Sequence, residues 1–534
     1  MNPEALVRLR GDVIAEPLFN SWYVTLPMIA PHTSAMLVRN QHIKILKSYL
    51  LSPDMHLAAA NDPQLRGGPF ANVEKSRVDE VRAHLAHTLI SQHSLISLAE
   101  AIEKLDQLLQ SQAVGHSLEP FYDAIPECLK GYVELVYDTN NVPSIRFIEG
   151  LLYLSEYYDR ACQSVALSLC VSDTRNFVLS TPRLPDERTV RINRPFDDVV
   201  YDALFDMRYT PRPFGEICES LDIGSDQVRL FSSFFEPVPT ARATTAPAVH
   251  ANEVEVRYFG HACLLFQTSQ LSVLFDPLIS YEKRSAEDRY TYTDLPDVLD
   301  YVVITHGHLD HMVLETLLQL RCKTRNIIVP KTSKGALCEP SLKLMLRHLG
   351  FTCNIIELDE MEHIDVPGGS LTSVPFLGEH HDLNIAGKSA YWLKLHGRAY
   401  VIAADSANLD ARLYDHLRRI LGPVDTLFMG MECDGAPLTW FYGHLLTHPM
   451  AREMSDSRQG SGSDQQRATR IVESLGCKQV YIYAMGLEHW FGHILSLNYT
   501  PESKQIVESD NFLRDSNALG IAAERLYAMR TLRF

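Results

Sequence analysis

Within the octapeptide Ile304–His311 (ITHGHLDH), three imidazoles and one carboxylate fall inside six residues: His306, His308, Asp310 and His311. Imidazole nitrogen and carboxylate oxygen are the donors that hard and borderline divalent cations take. The apolar run Tyr301–Ile304 precedes this segment, and Met312–Cys322 follows with apolar residues at helical spacing. That pattern predicts a buried strand handing its last residues to a strand-to-helix turn, where side chains converge on one spot.

The elements that must hold this turn lie in the second half of the chain. From Val254 onward short apolar runs recur, among them Leu264–Gln267, Leu271–Phe275, Asn326–Val329, Ser370–Val374, Ala399–Ala404, Thr426–Met429 and Gln479–Ala484. Helical patterns at Leu342–Leu349, Ala411–Leu421 and Gln465–Leu475 fall between them. Many strands with intervening helices fit a two-sheet α/β sandwich with helices outside. Residues 1–240 differ: Ile43–Leu51, Glu74–Leu95 and Leu98–Ser111 have helical spacing, and Tyr132–Tyr137 and Val190–Ile192 fit short strands. A mixed, mainly helical N-terminal domain is expected there. Residues 241–252 are the expected linker, within a Pro-, Ala- and Thr-rich stretch, and 253–534 the catalytic domain.

Composition bounds the function. The 534 residues carry a formal charge of −17, which argues against a general nucleic-acid binder. Phe214–Phe235 could be drawn as a helix-turn-helix, but its surroundings are not basic, and packing is the better reading. Ten scattered cysteines without a C-x-x-C pair are the usage of a reduced cytoplasmic protein, with Cys263 and Cys433 read as core. No signal peptide or membrane-spanning run is evident. The polar stretch Ser455–Gln466 reads as a flexible surface loop.

The order H-x-H-x-D-H resembles the metallo-β-lactamase superfamily, whose fold is an αββα sandwich. The resemblance implies that the first two histidines bind one metal and that Asp310 and His311 bind its neighbour. It also implies ligands from later strand ends. Asp405, ending Ala399–Ala404, would bridge the ions. His489 after Gln479–Ala484 would be the last histidine, with His493 as runner-up. At Leu377–Asp382 (LGEHHD), Glu379, His380 and His381 compete for one position. His380 there gives a conventional dizinc hydrolase; Glu379 gives a carboxylate-rich site that suits iron or manganese. His261 and Asp276, also at strand ends, are candidates to orient the ligands rather than bind metal. Asp276 could accept a hydrogen bond from a ligating histidine. His444 and His448 read as pocket wall or interface.

An unfamiliar N-terminal domain, HGHLDH and GEHHD together resemble the CmlA-type nonheme diiron β-hydroxylase family of chloramphenicol biosynthesis, across essentially the whole chain. The resemblance implies an O2-dependent monooxygenase with two iron ions and an external electron donor. It would hydroxylate the β-carbon of an amino acid tethered as a thioester to a nonribosomal peptide synthetase carrier domain. His306, His308 and Glu379 would bind the first iron, Asp310, His311 and His489 the second, with Asp405 bridging and Glu432 a carboxylate near the cluster. A carrier domain, a reductase and a second copy of the chain are the implied partners. The alternative is a dizinc hydrolase of an ester, lactone or phosphodiester.

Overall fold

The computed structural model describes residues 2–238, 250, 252–283 and 287–534. The expected linker lies almost wholly outside these residues.

Two seven-stranded sheets form the second half. Its strands in chain order are β1 (Glu255–Gly260), β2 (Cys263–Gln267), β3 (Ser272–Phe275), β4 (Leu299–Val303), β5 (Thr324–Pro330) and β6 (Asn354–Leu358). They continue with β7 (His363–Val366), β8 (Gly369–Val374), β9 (Ala390–Leu395), β10 (Arg398–Ile402) and β11 (Thr426–Gly430). The last are β12 (Gln479–Tyr483), β13 (Ala522–Arg525) and β14 (Arg530–Arg533). One sheet has the order β6-β5-β4-β3-β2-β1-β14, and the other runs β7 to β13 in sequence. Each sheet is antiparallel in one half and parallel in the other: β3 to β6 and β10 to β13 are the parallel sets.

Period-2 alternation explains the layers. In β2, Leu264 and Phe266 enter the core between the sheets, with Phe275, Tyr400 and Phe428. Cys263 and Leu265 face the other way, into a core shared with the N-terminal half. Sheets covered on both faces need near-continuous apolar strands, and β3 is buried at every residue. The second sheet is covered by amphipathic helices. In Gln465–Leu475, Ala468, Ile471, Val472 and Leu475 are buried, Asp464 caps the N-terminus, and Gly476 ends the helix in the left-handed conformation.

The N-terminal half supplies the missing outer layer of the first sheet. A four-stranded sheet (Trp22–Tyr23, Val13–Phe19, Gln163–Leu169, Val190–Ile192) and helices Pro31–Leu37, Ile43–Leu51 and His93–Gln112 belong to one core with Leu314, Leu317, Met345 and Leu346. The junction also carries buried charge. Arg175 bridges Glu16 (2.5 Å) and Glu315 (2.8 Å), and Arg183 also pairs with Glu16 (2.8 Å). Phe214–Ser220 and Val228–Ser232 form the two short helices read in the sequence, and their Phe214, Phe231 and Phe235 rings pack together. Among the described residues no helix is long and apolar enough to cross a membrane.

Candidate metal centre

The ITHGHLDH turn leaves β4 and is tied down on the second sheet. Ser389 N donates to Thr305 O (2.8 Å), and the Tyr391 hydroxyl donates to Ile304 O (2.9 Å). Neighbouring strand ends converge on the same place, and several do so through left-handed backbone. His261 follows β1, Asp276 follows β3, Ala404 follows β10 and Ala484 follows β12, all with φ between 39° and 53°. Glu379 to Asp382 continue in this region for four residues, with φ of 50° to 57°. Such non-glycine conformations cost of order 1–3 kcal/mol each and persist where surrounding structure over-determines them.

Hydrogen bonds fix which nitrogen each histidine presents. Asp276, fully buried, accepts from Thr305 N (2.8 Å), Thr305 Oγ1 (2.6 Å) and His311 Nδ1 (2.8 Å). Because Thr305 spends its proton on Asp276, its oxygen accepts from His306 Nδ1 (3.0 Å). His306 and His311 therefore both turn Nε2 inward. Both atoms are buried without a hydrogen-bond partner among the described residues, yet Asp405 Oδ2 lies 3.6 Å and 3.0 Å from them. Two imidazole nitrogens converging on one carboxylate are arranged for a cation, whether a metal ion or, at His311, a proton. His308 turns Nδ1 to Glu379 Oε1 (3.2 Å), while its Nε2 faces the Tyr442 hydroxyl (3.4 Å).

Asp310, Glu379, Asp405 and Glu432 line one cavity of about 340 Å³ together with His308. Burial drives Glu432 far above the usual carboxylate range, and the charges of Asp405, Asp310 and Glu379 push the same way. At His311 burial opposes a positive charge, but Asp405, Asp310 and Asp276 outweigh it and hold the imidazole far above its ordinary range. The field at this spot favours a cation, which would relieve the repulsion among the carboxylates that pushes Glu432 up. The donor set of three imidazoles and four carboxylates fits two metals and, being oxygen-rich, suits iron.

Glu379 and His380, which compete in the sequence, face different spaces. Glu379 lines the carboxylate cavity, whereas His380 gives its Nδ1 to the Tyr442 hydroxyl (2.9 Å) and lines a second, apolar cavity. His381 turns away to Ala436 O (2.9 Å). His261 accepts at Nδ1 from Gly486 N (3.2 Å), which leaves Nε2–H to donate to Asp310 Oδ2 (2.9 Å). That tautomer makes it an orienting group for Asp310.

Neither His489 nor His493 reaches the cluster. After β12 the chain turns inward through Ala484, and buried Glu488 takes the inner position, accepting from the Tyr258 hydroxyl and His261 N. The single turn His489–Phe491 then sends Trp490 and Phe491 into an apolar cluster and His489 outward. His489 is 56% exposed, near Asp173 and Glu287 (3.5 Å each). His493 is buried beside Arg175 and Glu315. The polar stretch read as a surface loop also differs: Gly460 and Gly462 line the metal cavity. A side chain at Gly460 would crowd Glu379 and His381, so bare backbone there keeps the cavity open. A run of alternating glycines was the available signal. His444 lines the apolar cavity, and exposed His448 lies 3.4 Å from Asp106.

Fold and donor set together define a dinuclear metal protein of the metallo-β-lactamase type. The chain belongs to the diiron non-heme β-hydroxylases: residues 8–239 match the N-terminal domain of that family, and residues 272–459 match the β-lactamase superfamily domain. It is 36% identical over 531 residues to the 4-amino-L-phenylalanyl-[CmlP-peptidyl-carrier-protein] 3-hydroxylase of Streptomyces venezuelae, covering 98% of this chain and 99% of that one. The crystal structure of CmlA, a diiron β-hydroxylase from Streptomyces venezuelae, superposes with a TM-score of 0.93 at 35% identity, over 99% of this chain and 100% of that one. A CmlA variant with one Glu-to-Asp substitution gives a TM-score of 0.91 at 34% identity over the same shares. The chain is thus an oxidoreductase that works with two iron ions and O2.

Proposed function

We propose that this enzyme hydroxylates the β-carbon of an amino acid held as a thioester on the carrier domain of a nonribosomal peptide synthetase, in natural-product biosynthesis. The relative that is 36% identical over nearly the whole length acts, by its name, on an aminoacyl carrier protein. In this reading His306, His308 and Glu379 would bind one iron, Asp310 and His311 the other, and Asp405 would bridge them. Glu432 would take the position that His489 was expected to fill. Two irons held there would supply the activation of O2; with two electrons and two protons from outside, one oxygen atom would enter the new hydroxyl and the other would leave as water.

The chain's own residues do the rest. Asp276 and His261 hold His311 and Asp310 in place, and Glu379 completes an oxygen-rich set. The larger cavity, of about 340 Å³, is also lined by Trp440 and by Arg66, which is exposed, so the thioester arm would enter beside them. Carrier docking beside this mouth, a separate reductase, a homodimer formed through the N-terminal half and a cytoplasmic location complete the proposal. The N-terminal half, through residue 240, would serve as the cover of the active site.

The observation that carries the reading is the orientation of Glu379 into the metal cavity while His380 faces Tyr442. Metal analysis of two variants tests it. Glu379→Ala should lose iron and at least ~100-fold in activity, whereas His380→Ala should keep both irons. Iron lost from His380→Ala but kept by Glu379→Ala would favour the dizinc-hydrolase arrangement instead.

A further inference from the structure

A second cavity of about 130 Å³ adjoins the metal cavity and shares His308, Leu309, Trp440 and Phe441 with it. Its far wall combines Leu26 and Leu37 of the N-terminal half with Leu342 and Met345 of the helix Leu342–His348. A comparable core cavity of about 150 Å³ admits one benzene ring. The polar groups on its wall are mostly occupied. The Glu339 carboxylate accepts from Ser333 N, Ser333 Oγ and Gly387 N, and Thr33 Oγ1 donates to Pro27 O. His380 Nε2 and His444 Nε2 have no hydrogen-bond partner among the described residues. His444 is 8% exposed, and burial lowers its pKa to about 4, so it meets a ligand as a neutral imidazole.

The space thus has room for one ring, a wall whose one carboxylate, Glu339, is held by hydrogen bonds, and free imidazole nitrogens on His380 and His444. An unsatisfied buried nitrogen is costly until something bonds it, which makes it a discriminating contact. The reaction itself demands such a place. If the β-carbon sits at the metals, the thioester must leave on one side and the side chain on another. The larger cavity, lined at one point by exposed Arg66, is assigned to the arm. The apolar one is left for the side chain.

We propose that the cavity bounded by Leu37, Met345 and His444 is the side-chain subsite, taking an uncharged ring whose polar substituent hydrogen-bonds His444 Nε2. The proposal rests on the reading of the enzyme as a hydroxylase of tethered amino acids.

Carrier domains loaded with phenylalanine, 4-aminophenylalanine, leucine and aspartate test it, with hydroxylation read by mass on the intact carrier. The ring substrates should exceed aspartate by at least ~100-fold in kcat/KM, as a charge entering an apolar space should be rejected. Met345→Trp, or Leu37→Phe if the first does not fold, should raise KM for ring substrates by ~10-fold with iron content unchanged. His444→Phe should cut the preference for 4-aminophenylalanine over phenylalanine by ~10-fold, and His444→Gln should restore part of it. Aspartate accepted as well as phenylalanine, or folded, iron-loaded variants with unaltered selectivity, would overturn the subsite. Hydroxylation of none of the four carriers would instead overturn the underlying reading, and the subsite with it.

Discussion

Asp276 is the residue on which the geometry of two histidines depends, because it fixes His311 directly and His306 through Thr305. Asp276→Asn replaces one acceptor oxygen by a donor and should turn His311 into its other tautomer. The expected result is 10- to 100-fold weaker retention of iron, measured by dialysis against a chelator, with little change in fold. At this scale the sequence was legible where several donors share one turn. His306, His308, Asp310 and His311 are adjacent in the chain, so local spacing alone announces them. Asp276 and His261 were legible as orienting groups from their strand-end positions. His489 was not, because a single turn of 3₁₀ helix decides which residue faces inward. There Glu488 won the buried place through its bonds to Tyr258 and His261. Spacing cannot report a half-turn rotation of that kind.

At the scale of elements, the helix Leu342–His348 connects the apolar cavity to the N-terminal half. Its cap residue Ser341 donates its N–H to Glu149 (2.9 Å). Burial raises Glu149 from 4.5 to about 7, against the pull of the Ser341 and Gly335 backbone bonds. The folded protein therefore binds this proton more tightly than the unfolded chain. Its stabilising contribution is complete below pH 4.5 and is lost as pH rises towards 7, to a total of roughly 3 kcal/mol. Glu149→Gln keeps the neutral acceptor and should flatten this part of the pH profile in urea denaturation, with the variant more stable than the parent at pH 8. An unchanged profile would show that Glu149 does not hold its proton. Most strands from Glu255 onward were legible as short apolar runs bounded by turn residues, but His363–Val366, Ala522–Arg525 and Arg530–Arg533 were not, being short and largely polar. The Ser455–Gln466 stretch was misread because polar composition suggests exposure. In fact Gly460 lies close to Glu379 and His381, and Gly462 close to the Glu432 backbone.

For the whole molecule, the junction between the two halves combines one continuous apolar core with a buried ion network. Arg175 is its hub, holding Glu16 and Glu315 from opposite sides of the junction. Arg175→Met should leave the buried Glu315 carboxylate without its guanidinium partner and destabilise the protein by about 3–5 kcal/mol, read by chemical denaturation. The helical character of the N-terminal half was legible from spacing. Which of its residues line the cavities was not, because Leu26, Leu37 and Arg66 reach them only through long-range packing. The central claim concerns the complete assembly of iron, O2 and tethered amino acid, and the mass of an aminoacyl carrier after a single turnover tests it most directly. With iron-loaded, reduced enzyme and O2, the carrier should keep its thioester and gain one oxygen atom on the β-carbon, while zinc-loaded enzyme should leave it unchanged. Release of the free amino acid by the zinc-loaded enzyme, with no oxygenated carrier from the iron-loaded one, would contradict it.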